Sequence, residues 1–354
     1  MMQISDMSKF KRVRARAPLR LGIAGGGTDV SPYCDQHIGH VLNTTIDRYA
    51  YAVIKPFEDG SVKFSATDLQ KYLDLDVSQY PFPLEGDLIL HKAVYNHIIT
   101  HHNDGHAIPL ELRTFCDAPA GSGLGSSSTL VVTMIRAFVE MLNIPLDDYA
   151  IAHLAFHIER VDCAIKGGRQ DQYAATFGGF NFMEFYPDNR VVVNSLRVKN
   201  WIVCELEASL VLFFSGVSRE SANIIEDQTR NMSKGVTKTL DAMHAVKEQG
   251  TVMKECLLKG AFDGYVEAMK IAWDHKKKSA KSISTPHIEN IFNSALDAGA
   301  LAGKVSGAGG GGFMMFFVPT EHRMDVIREL KKVEGGQVSN CHFTSLGTQA
   351  WKIL

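Results

Sequence analysis

The feature that most constrains this chain is a run of glycine and serine from Pro119 to Thr129, which separates a strand-like segment from a long apolar helix pattern. A glycine-rich turn that opens onto a helix presents unpaired backbone N–H groups and the positive end of the helix dipole, so it binds anions. The stretch therefore predicts a phosphate loop, and its serine hydroxyls are suited to cap the helix or to ligate Mg²⁺. A turn followed by a capped helix, with no ligand, is the alternative.

Two familiar phosphate motifs do not describe this loop. It lacks the Gly-Lys-Ser/Thr end of a Walker A loop, and its Gly121-x-Gly123-x-Gly125 spacing differs from the dinucleotide fingerprint. Three further stretches, Gly22–Gly27, Gly167–Gly179 and Gly307–Gly312, bring the clustered glycines to 16 of the chain's 30. Because glycine-dense loops are costly in chain entropy, we expect the backbone to approach another group closely at these places.

Length and patterning predict an α+β chain of two packed units. The 354 residues, 45% of them hydrophobic, are enough for two cores, and strand and helix patterns are mixed throughout. A short strand is predicted at Ser209–Ser215, a helical stretch from Ser221 to about Ala280, and a terminal strand at Thr348–Leu354. We place the domain boundary near residue 196, which gives domains 1–196 and 197–354.

Charge and cysteine content narrow the functional class. A formal charge of −2 provides no positive field for nucleic acid, and no apolar run approaches the ~20 residues that a membrane span needs. The six cysteines form no CxxC pair, which is typical of reduced thiols in a cytoplasm. We therefore expect a cytoplasmic monomer or homodimer that binds small molecules, and neither nucleic acid nor a membrane.

Three of the glycine clusters occur in the order found in a known superfamily. Ala17–Asp29, Pro119–Ser128 and Lys304–Gly312 resemble the three motifs of the GHMP kinases, which include galactokinase, homoserine kinase and mevalonate kinase. Gly25–Asp29 together with Lys166–Tyr173 is similar to the D-glycero-D-manno-heptose 7-phosphate kinases. The resemblance implies a two-domain fold, with an N-terminal domain like domain 2 of ribosomal protein S5, a ferredoxin-like C-terminal domain and a site in the cleft between them.

The resemblance also implies an activity and the residues that perform it. The expected reaction is ATP-dependent phosphorylation of the anomeric 1-hydroxyl of the heptose 7-phosphate to the 1,7-bisphosphate, in nucleotide-heptose biosynthesis for surface polysaccharide. Asp171 is the expected base, and Arg20 would hold it ionised and lower the pKa of the acceptor hydroxyl by its charge. Alternatively, Asp171 caps a helix or turn and Arg20 is a surface arginine at a strand end.

Nucleotide and metal ligands follow from the second motif. Mg²⁺ would be held by Ser127 and Glu159, although Glu159 lies twelve residues before Asp171, one more than the spacing expected in mevalonate kinases, which indicates an insertion. Otherwise, Glu159 is a helix-surface residue paired with a neighbouring base. The expected ATP-binding residues are Pro119, Gly121, Ser122, Gly123, Leu124, Gly125, Ser126, Ser127 and Ser128.

Acceptor ligands are expected in the first and third motifs and beside the base. A carboxylate accepts hydrogen bonds from two sugar hydroxyls at once, but Asp29 is equally suited to brace its own turn. The distal phosphate needs a cation, for which the candidates are Arg169, Lys276, Lys277 and Lys278, although a lysine run is more often a solvated helix face. The expected substrate-binding residues are Gly26, Gly27, Thr28, Asp29, Arg169, Gln172, Gly309, Gly310 and Lys277.

Two other functions fit parts of this pattern. One is a fucose- or galactose-type sugar kinase, and the other is a catalytically silent homologue that binds sugar and ATP as a regulator. The presence of Asp171, Arg20, Ser127 and Glu159 together favours an enzyme over the silent homologue. An isoprenoid-pathway kinase would be expected to have a more apolar first loop than Gly25–Asp29.

Overall fold

A computed structural model describes residues 10–218, 221–233 and 237–353. The strands are β1 (Arg12–Ala24), β2 (Gly39–Pro56), β3 (Ser61–Ala66), β4 (Lys71–Asp76), β5 (Leu110–Cys116), β6 (Phe180–Phe185), β7 (Val191–Ser195), β8 (Leu210–Phe214), β9 (Ala302–Val305), β10 (Phe313–Phe317), β11 (Gln337–Ser339) and β12 (Gln349–Ile353). The α-helices are α1 (Tyr33–His37), α2 (Ile89–His102), α3 (Ser126–Leu142), α4 (Asp148–His157), α5 (Gln170–Phe177), α6 (Asn200–Ser209), α7 (Ser221–Ser233), α8 (Thr237–Lys259), α9 (Phe262–Ser279), α10 (Pro286–Asp297) and α11 (Arg323–Leu330).

The larger sheet has eight strands. Six follow the order β12-β1-β2-β5-β3-β4, and β6 pairs with the first part of β2 and with β7. β1 begins with alternating exposure, Arg12 and Arg14 outward and Val13 and Ala15 inward, and becomes buried throughout from Ala17 onward. One sheet face therefore covers a core near the start of β1, whereas both faces are covered near its end.

Helices cover the buried face of this sheet and form the main core. α3 contributes Val131, Ile135 and Phe138, all fully buried, because apolar residues recur on it at three- and four-residue spacing. Ile98 of α2 and Ile151 of α4 pack into the same cluster. α3 is thus held firmly at the end of the glycine and serine run.

The smaller sheet has four strands in the order β11-β8-β10-β9. β10 is buried along its whole length, because α9 and α10 contribute to the core on one face and residues of the larger sheet lie on the other. A cluster that includes Leu19 and Ile46 of the larger sheet and Leu212 and Phe313 of the smaller one joins the two units. The end of β1 and the start of β10 therefore meet beside the glycine loops.

The α+β architecture is as predicted, with one difference in detail. α6 fills the interval before β8 and includes Ser209, where a strand is predicted to begin. The predicted helical stretch from Ser221 to about Ala280 consists, in the described part, of α7, α8 and α9, and residues 234–236 lie outside that part. α8 and α9 are separated at Gly260, which adopts a φ of 71°.

The predicted terminal strand is present as β12. β12 pairs antiparallel with β1, Arg12 opposite Ile353, so the end of the chain lies in the first sheet, and Leu354 lies outside the described residues. The division into 1–196 and 197–354 stays a prediction. Among the described helices, none combines the length and apolar character that would be required to cross a bilayer.

Candidate active site

The glycine and serine run forms an open loop between β5 and α3. Gly121, Gly123 and Gly125 all have a positive φ, and Gly125 is the residue that precedes the first turn of α3. Because Gly125 has no side chain to cap the helix, the N–H groups of that first turn are left for a ligand. The loop and the start of α3 line a cavity of about 660 Å³. The geometry is that of an anion site at a helix N-terminus.

Not every residue of this run faces the cavity. Gly121, Gly123, Gly125 and Ser126–Ser128 line it. Leu124 is fully buried in the cluster that joins the two sheets, and the Ser122 N–H donates to the Pro119 carbonyl, at 3.2 Å, in a turn that shapes the loop. The structure therefore assigns Pro119, Ser122 and Leu124 to the loop's framework.

The third glycine cluster packs directly on the phosphate loop. A Cβ atom on Gly123 would lie 2.5 Å from the Ser306 carbonyl oxygen, and one on Gly307 would lie 2.9 Å from the Gly123 carbonyl oxygen. Gly307 and Ala308 reach the cavity. By contrast, the Gly310 N–H donates to the Ile283 carbonyl oxygen at 2.7 Å, and Gly309 packs against the same residue. The structure does not bring Gly309 and Gly310 to the cavity.

Asp171 and Arg20 form an ion pair beside this loop, in which Arg20 is buried and Asp171 is partly exposed. Arg20 lies on β1 at a shift in the β1–β2 register, and Asp171 lies in the first turn of α5. Two guanidinium nitrogens of Arg20 lie 2.7 Å from Asp171 Oδ1, and its Nη1 donates to the Gly123 carbonyl oxygen at 2.6 Å. Arg20 is only 4% exposed, so it is not a surface arginine. One side chain thus fixes the carboxylate and the phosphate loop relative to each other.

Glu159 is buried and surrounded by donors. Its Oε1 accepts a hydrogen bond from Ser127 Oγ at 2.8 Å, and its Oε2 accepts from Ser128 Oγ at 2.6 Å and Gln172 Nε2 at 2.7 Å. Arg160 forms an ion pair with it at 3.2 Å. Glu159 therefore does not lie on a helix surface, and Gln172 lies with Glu159 and Ser128.

A π-helical turn, Ile158–Asp162, carries Glu159. A π-helical turn spans one residue more than an α-helical turn. Such turns within helices occur frequently at functional sites. Here the turn places Glu159 opposite the start of α3.

The first glycine motif braces itself and α5. Thr28 is fully buried, and its Oγ1 donates to the Gly25 carbonyl and accepts from the His40 N–H. Asp29 accepts from the backbone N–H groups of Arg169 and Gln170, and also from Gln170 Nε2 and the Gly27 N–H. These four bonds occupy the acceptor sites of the carboxylate, so the geometry favours the bracing role for Asp29. Because Asp29 caps α5, it positions the helix that carries Asp171.

Two of the predicted cations are directed elsewhere. The Arg169 guanidinium is buried away from the cavity, where it donates to Asp35 at 3.1 Å and to the Tyr186 carbonyl at 3.3 Å. Lys277 forms ion pairs with Asp274 at 3.5 Å and Glu289 at 3.6 Å. The structure brings neither the Arg169 guanidinium group nor the Lys277 ammonium group to the cavity.

Among the candidate cations, Lys276 of α9 lines the cavity. Burial lowers the pKa of Lys276 to about 8. The helical period agrees with this position, because Lys276 continues the buried stripe of Met269 and Trp273, whereas Lys277 falls beside that stripe. Other lining residues were not among the expected ligands, namely Gln170 from α5, Gln228 from α7, Arg160 of the π-helical turn and Lys166, which precedes α5.

Comparison with known proteins finds matches among the GHMP kinases. Residues 89–179 match the family model described as GHMP kinases N terminal domain, and residues 253–334 match GHMP kinases C terminal. The chain is 46% identical over 346 residues to the D-glycero-alpha-D-manno-heptose 7-phosphate kinase of Campylobacter jejuni, which covers 97% of this chain and 100% of the relative. This chain belongs to the GHMP kinase family.

Two solved structures extend this finding. A D-glycero-D-manno-heptose 1-phosphate kinase from Bacteroides thetaiotaomicron superposes with a TM-score of 0.82 at 40% identity, covering 97% of this chain and 99% of the other. A putative sugar kinase from Campylobacter jejuni gives 0.81 at 44% identity, covering 97% and 99%. The predicted family and two-domain GHMP fold are thereby confirmed. This GHMP kinase is a phosphotransferase that uses ATP.

Proposed function

We propose that this GHMP kinase transfers the γ-phosphoryl group of ATP to the anomeric 1-hydroxyl of D-glycero-D-manno-heptose 7-phosphate and produces the 1,7-bisphosphate. The proposal depends mainly on the contacts of Arg20, which donates hydrogen bonds to both Asp171 and the Gly123 carbonyl oxygen of the phosphate loop. The name of the 46% identical relative supports the choice of acceptor. A cytoplasmic role in nucleotide-heptose biosynthesis for surface polysaccharide follows from that choice.

Asp171 serves as the general base in this proposal. Its carboxylate removes the proton of the 1-hydroxyl while that oxygen forms a bond to the γ-phosphorus and the bond from phosphorus to the ADP oxygen breaks. A positioned base contributes about 10²–10⁴-fold to such a step. The positive charge of Arg20 holds the Asp171 carboxylate beside the loop. The loop N–H groups stabilise the phosphate charge, since phosphoryl transfer depends mainly on positioning and electrostatics.

Mg²⁺ fits the donor set at Ser127 and Glu159. A hydroxyl and a carboxylate are hard oxygen ligands, and Mg²⁺ is commonly held by one or two such protein groups together with substrate phosphates and water. Both residues line the cavity at the start of α3. When bound, the ion neutralises phosphate charge. Arg160 and Gln172 hold the Glu159 carboxylate in place.

A substrate panel tests the proposal. ADP release is measured with heptose 7-phosphate, heptose 1-phosphate, free heptose, fucose and galactose, and ³¹P NMR identifies the phosphorylated position. We expect kcat/KM for heptose 7-phosphate to exceed that for each other sugar at least tenfold, with a new anomeric phosphate. Faster turnover of heptose 1-phosphate or of a free sugar would contradict the proposed acceptor. ATP binding without ADP release on any sugar would identify the silent homologue.

A further inference from the structure

Lys276 provides a buried ammonium group at the cavity wall. The residue is only 4% exposed, yet it lines the cavity from α9. Within the described ranges, its Nζ donates one hydrogen bond, to the Gly307 carbonyl at 2.7 Å, and no carboxylate lies within 4 Å of it. An ammonium has three donors, so two are left for a ligand. A buried cation without an ion-pair partner is costly unless an anion joins it.

The other charged groups near Lys276 are already engaged. Arg20 is paired with Asp171, and Asp29, which raises the pKa of Lys276 against the larger effect of burial, is bonded to the start of α5. Lys304 is also buried nearby, and its ammonium donates to the carbonyls of Gly22 and Ile23. Among the described residues, Lys276 therefore provides an ammonium group at the cavity wall with two donors left for an anion.

Neutral polar groups lie beside this ammonium. A Cβ atom on Gly26 would lie 3.5 Å from Lys276 Nζ and 3.7 Å from Gln170 Nε2. The Gln170 side-chain oxygen is buried and has no hydrogen-bond partner in the described part of the chain. Gln170 and Gln228 both line the cavity. The ammonium and the neighbouring Gln170 amide nitrogen are both donors, which suits a phosphate group, because phosphate oxygens accept hydrogen bonds.

We propose that Lys276 binds the distal phosphate of the sugar acceptor and so selects a sugar phosphate over the free sugar. The inference rests on the proposed function, because it requires an acceptor with a phosphate group away from the reacting hydroxyl. It selects Lys276 from the four candidate cations of the sequence, which are Arg169, Lys276, Lys277 and Lys278.

The position of Lys276 favours the acceptor phosphate over those of ATP. The loop N–H groups and the Ser127–Glu159 pair are available to the phosphates of ATP. The loop reaches Asp171 at Gly125, where a Cβ atom would lie 3.2 Å from Asp171 Oδ2. The charges that act on Lys276 are those of Asp29 and Arg20. Lys276 therefore lies on the same side of Asp171 as the first glycine motif.

The decisive experiment compares Lys276→Met with Lys281→Met, an exposed lysine shortly after α9 that loses the same charge. Both are assayed with heptose 7-phosphate and with free heptose. We expect Lys276→Met to lower the ratio of the two kcat/KM values by about 10–100-fold, because one charge-assisted contact is lost. KM for ATP should stay within threefold. Lys281→Met should keep the wild-type ratio.

Inhibition by inorganic phosphate is a second measurement. It uses the wild-type enzyme, so it does not depend on whether a variant folds. Inorganic phosphate should inhibit competitively against heptose 7-phosphate and non-competitively against ATP. An unchanged ratio in Lys276→Met, a comparable rise in its KM for ATP, or inhibition competitive with ATP alone would overturn the inference. A wild-type enzyme without preference for the sugar phosphate would instead refute the proposed function, and the role of Lys276 with it.

Discussion

Replacement of Gly123 by alanine tests whether contact between the two glycine loops sets the geometry of phosphoryl transfer. The new Cβ would lie 2.5 Å from the Ser306 carbonyl oxygen, and ordinary van der Waals contact begins at 3.4 Å, so the loops must separate by about 0.9 Å. The Gly123 carbonyl also accepts bonds from Arg20 at 2.6 Å and from Ser306 Oγ at 3.0 Å. Movement of this carbonyl therefore disturbs the residue that holds Asp171.

The size of the effect follows from that displacement. A misplacement of about 1 Å in a catalytic arrangement costs on the order of 10²-fold in rate, so we expect kcat/KM for ATP to fall about 100-fold. The positive φ of Gly123, 82°, adds roughly 1–2 kcal/mol of backbone strain once a Cβ is present. The strain and the contact must be separated by a control.

Gly60→Ala is the matched control. Gly60 has a φ of 77°, and its Cβ would meet nothing within 4 Å. It should therefore lose a similar 1–2 kcal/mol of unfolding free energy and retain wild-type kinetics. Urea unfolding and ADP-release kinetics are measured on both variants. If Gly123→Ala matched Gly60→Ala in kcat and in KM for ATP, contact between the loops would not control the site.

Further predictions concern the base, the metal ligand, pH and the thiols. Asp171→Asn should lower kcat about 10²–10⁴-fold and leave ATP affinity within threefold, and near-normal turnover would exclude Asp171 as the base. Glu159→Gln should raise the Mg²⁺ concentration for half-maximal rate at least tenfold, so an unchanged Mg²⁺ titration would count against this ligand. Burial lowers the pKa of His91 to about 4, whereas an unfolded histidine takes up a proton near pH 6.5. The contribution of neutral His91 to the free energy of unfolding is therefore present above pH 6.5 and is lost as the pH falls toward 4. Urea unfolding at pH 7 and pH 5 should differ by about 2 kcal/mol from this residue, and His91→Gln should remove that difference. Iodoacetamide at pH 7.5 should label the exposed Cys204 well before Cys34 or Cys341, whose pKa values burial raises to about 12, and peptide mass spectrometry showing equal labelling would contradict this.

The phosphate loop could be predicted from the sequence because the residues that determine it are close together in the chain. Glycine spacing sets the turn, and the apolar stripe that follows sets the helix whose N-terminus the turn exposes. The base and its arginine depended on resemblance, since Arg20 and Asp171 lie 151 positions apart and no local pattern joins them. The pairing of β12 with β1 is equally non-local, and a five-residue strand carries little information about its partner.

Two of the candidate cations lie away from the cavity for different physical reasons. Arg169 forms an ion pair with Asp35, 134 positions earlier in the chain, and the sequence gives no sign of that pair. Lys277 differs from Lys276 by one helical position, about 100° of rotation, and only the phase of the buried stripe decides which lysine faces inward. The position of Arg169 could not be predicted without the fold, whereas the helical period distinguishes Lys276 from Lys277.

The glycine clusters have a second role that their composition alone does not indicate. Gly123 and Gly307 approach each other's loops, and a Cβ on Gly168 would collide with the Asp29 carboxylate that caps α5. From Asp29 the contacts continue through α5 to Asp171, and from Arg20 to Gly123. Close backbone packing thus links all the motifs to one carboxylate. Effects of substitutions at Gly123 and Gly307 should therefore be non-additive, since either change separates the same two loops.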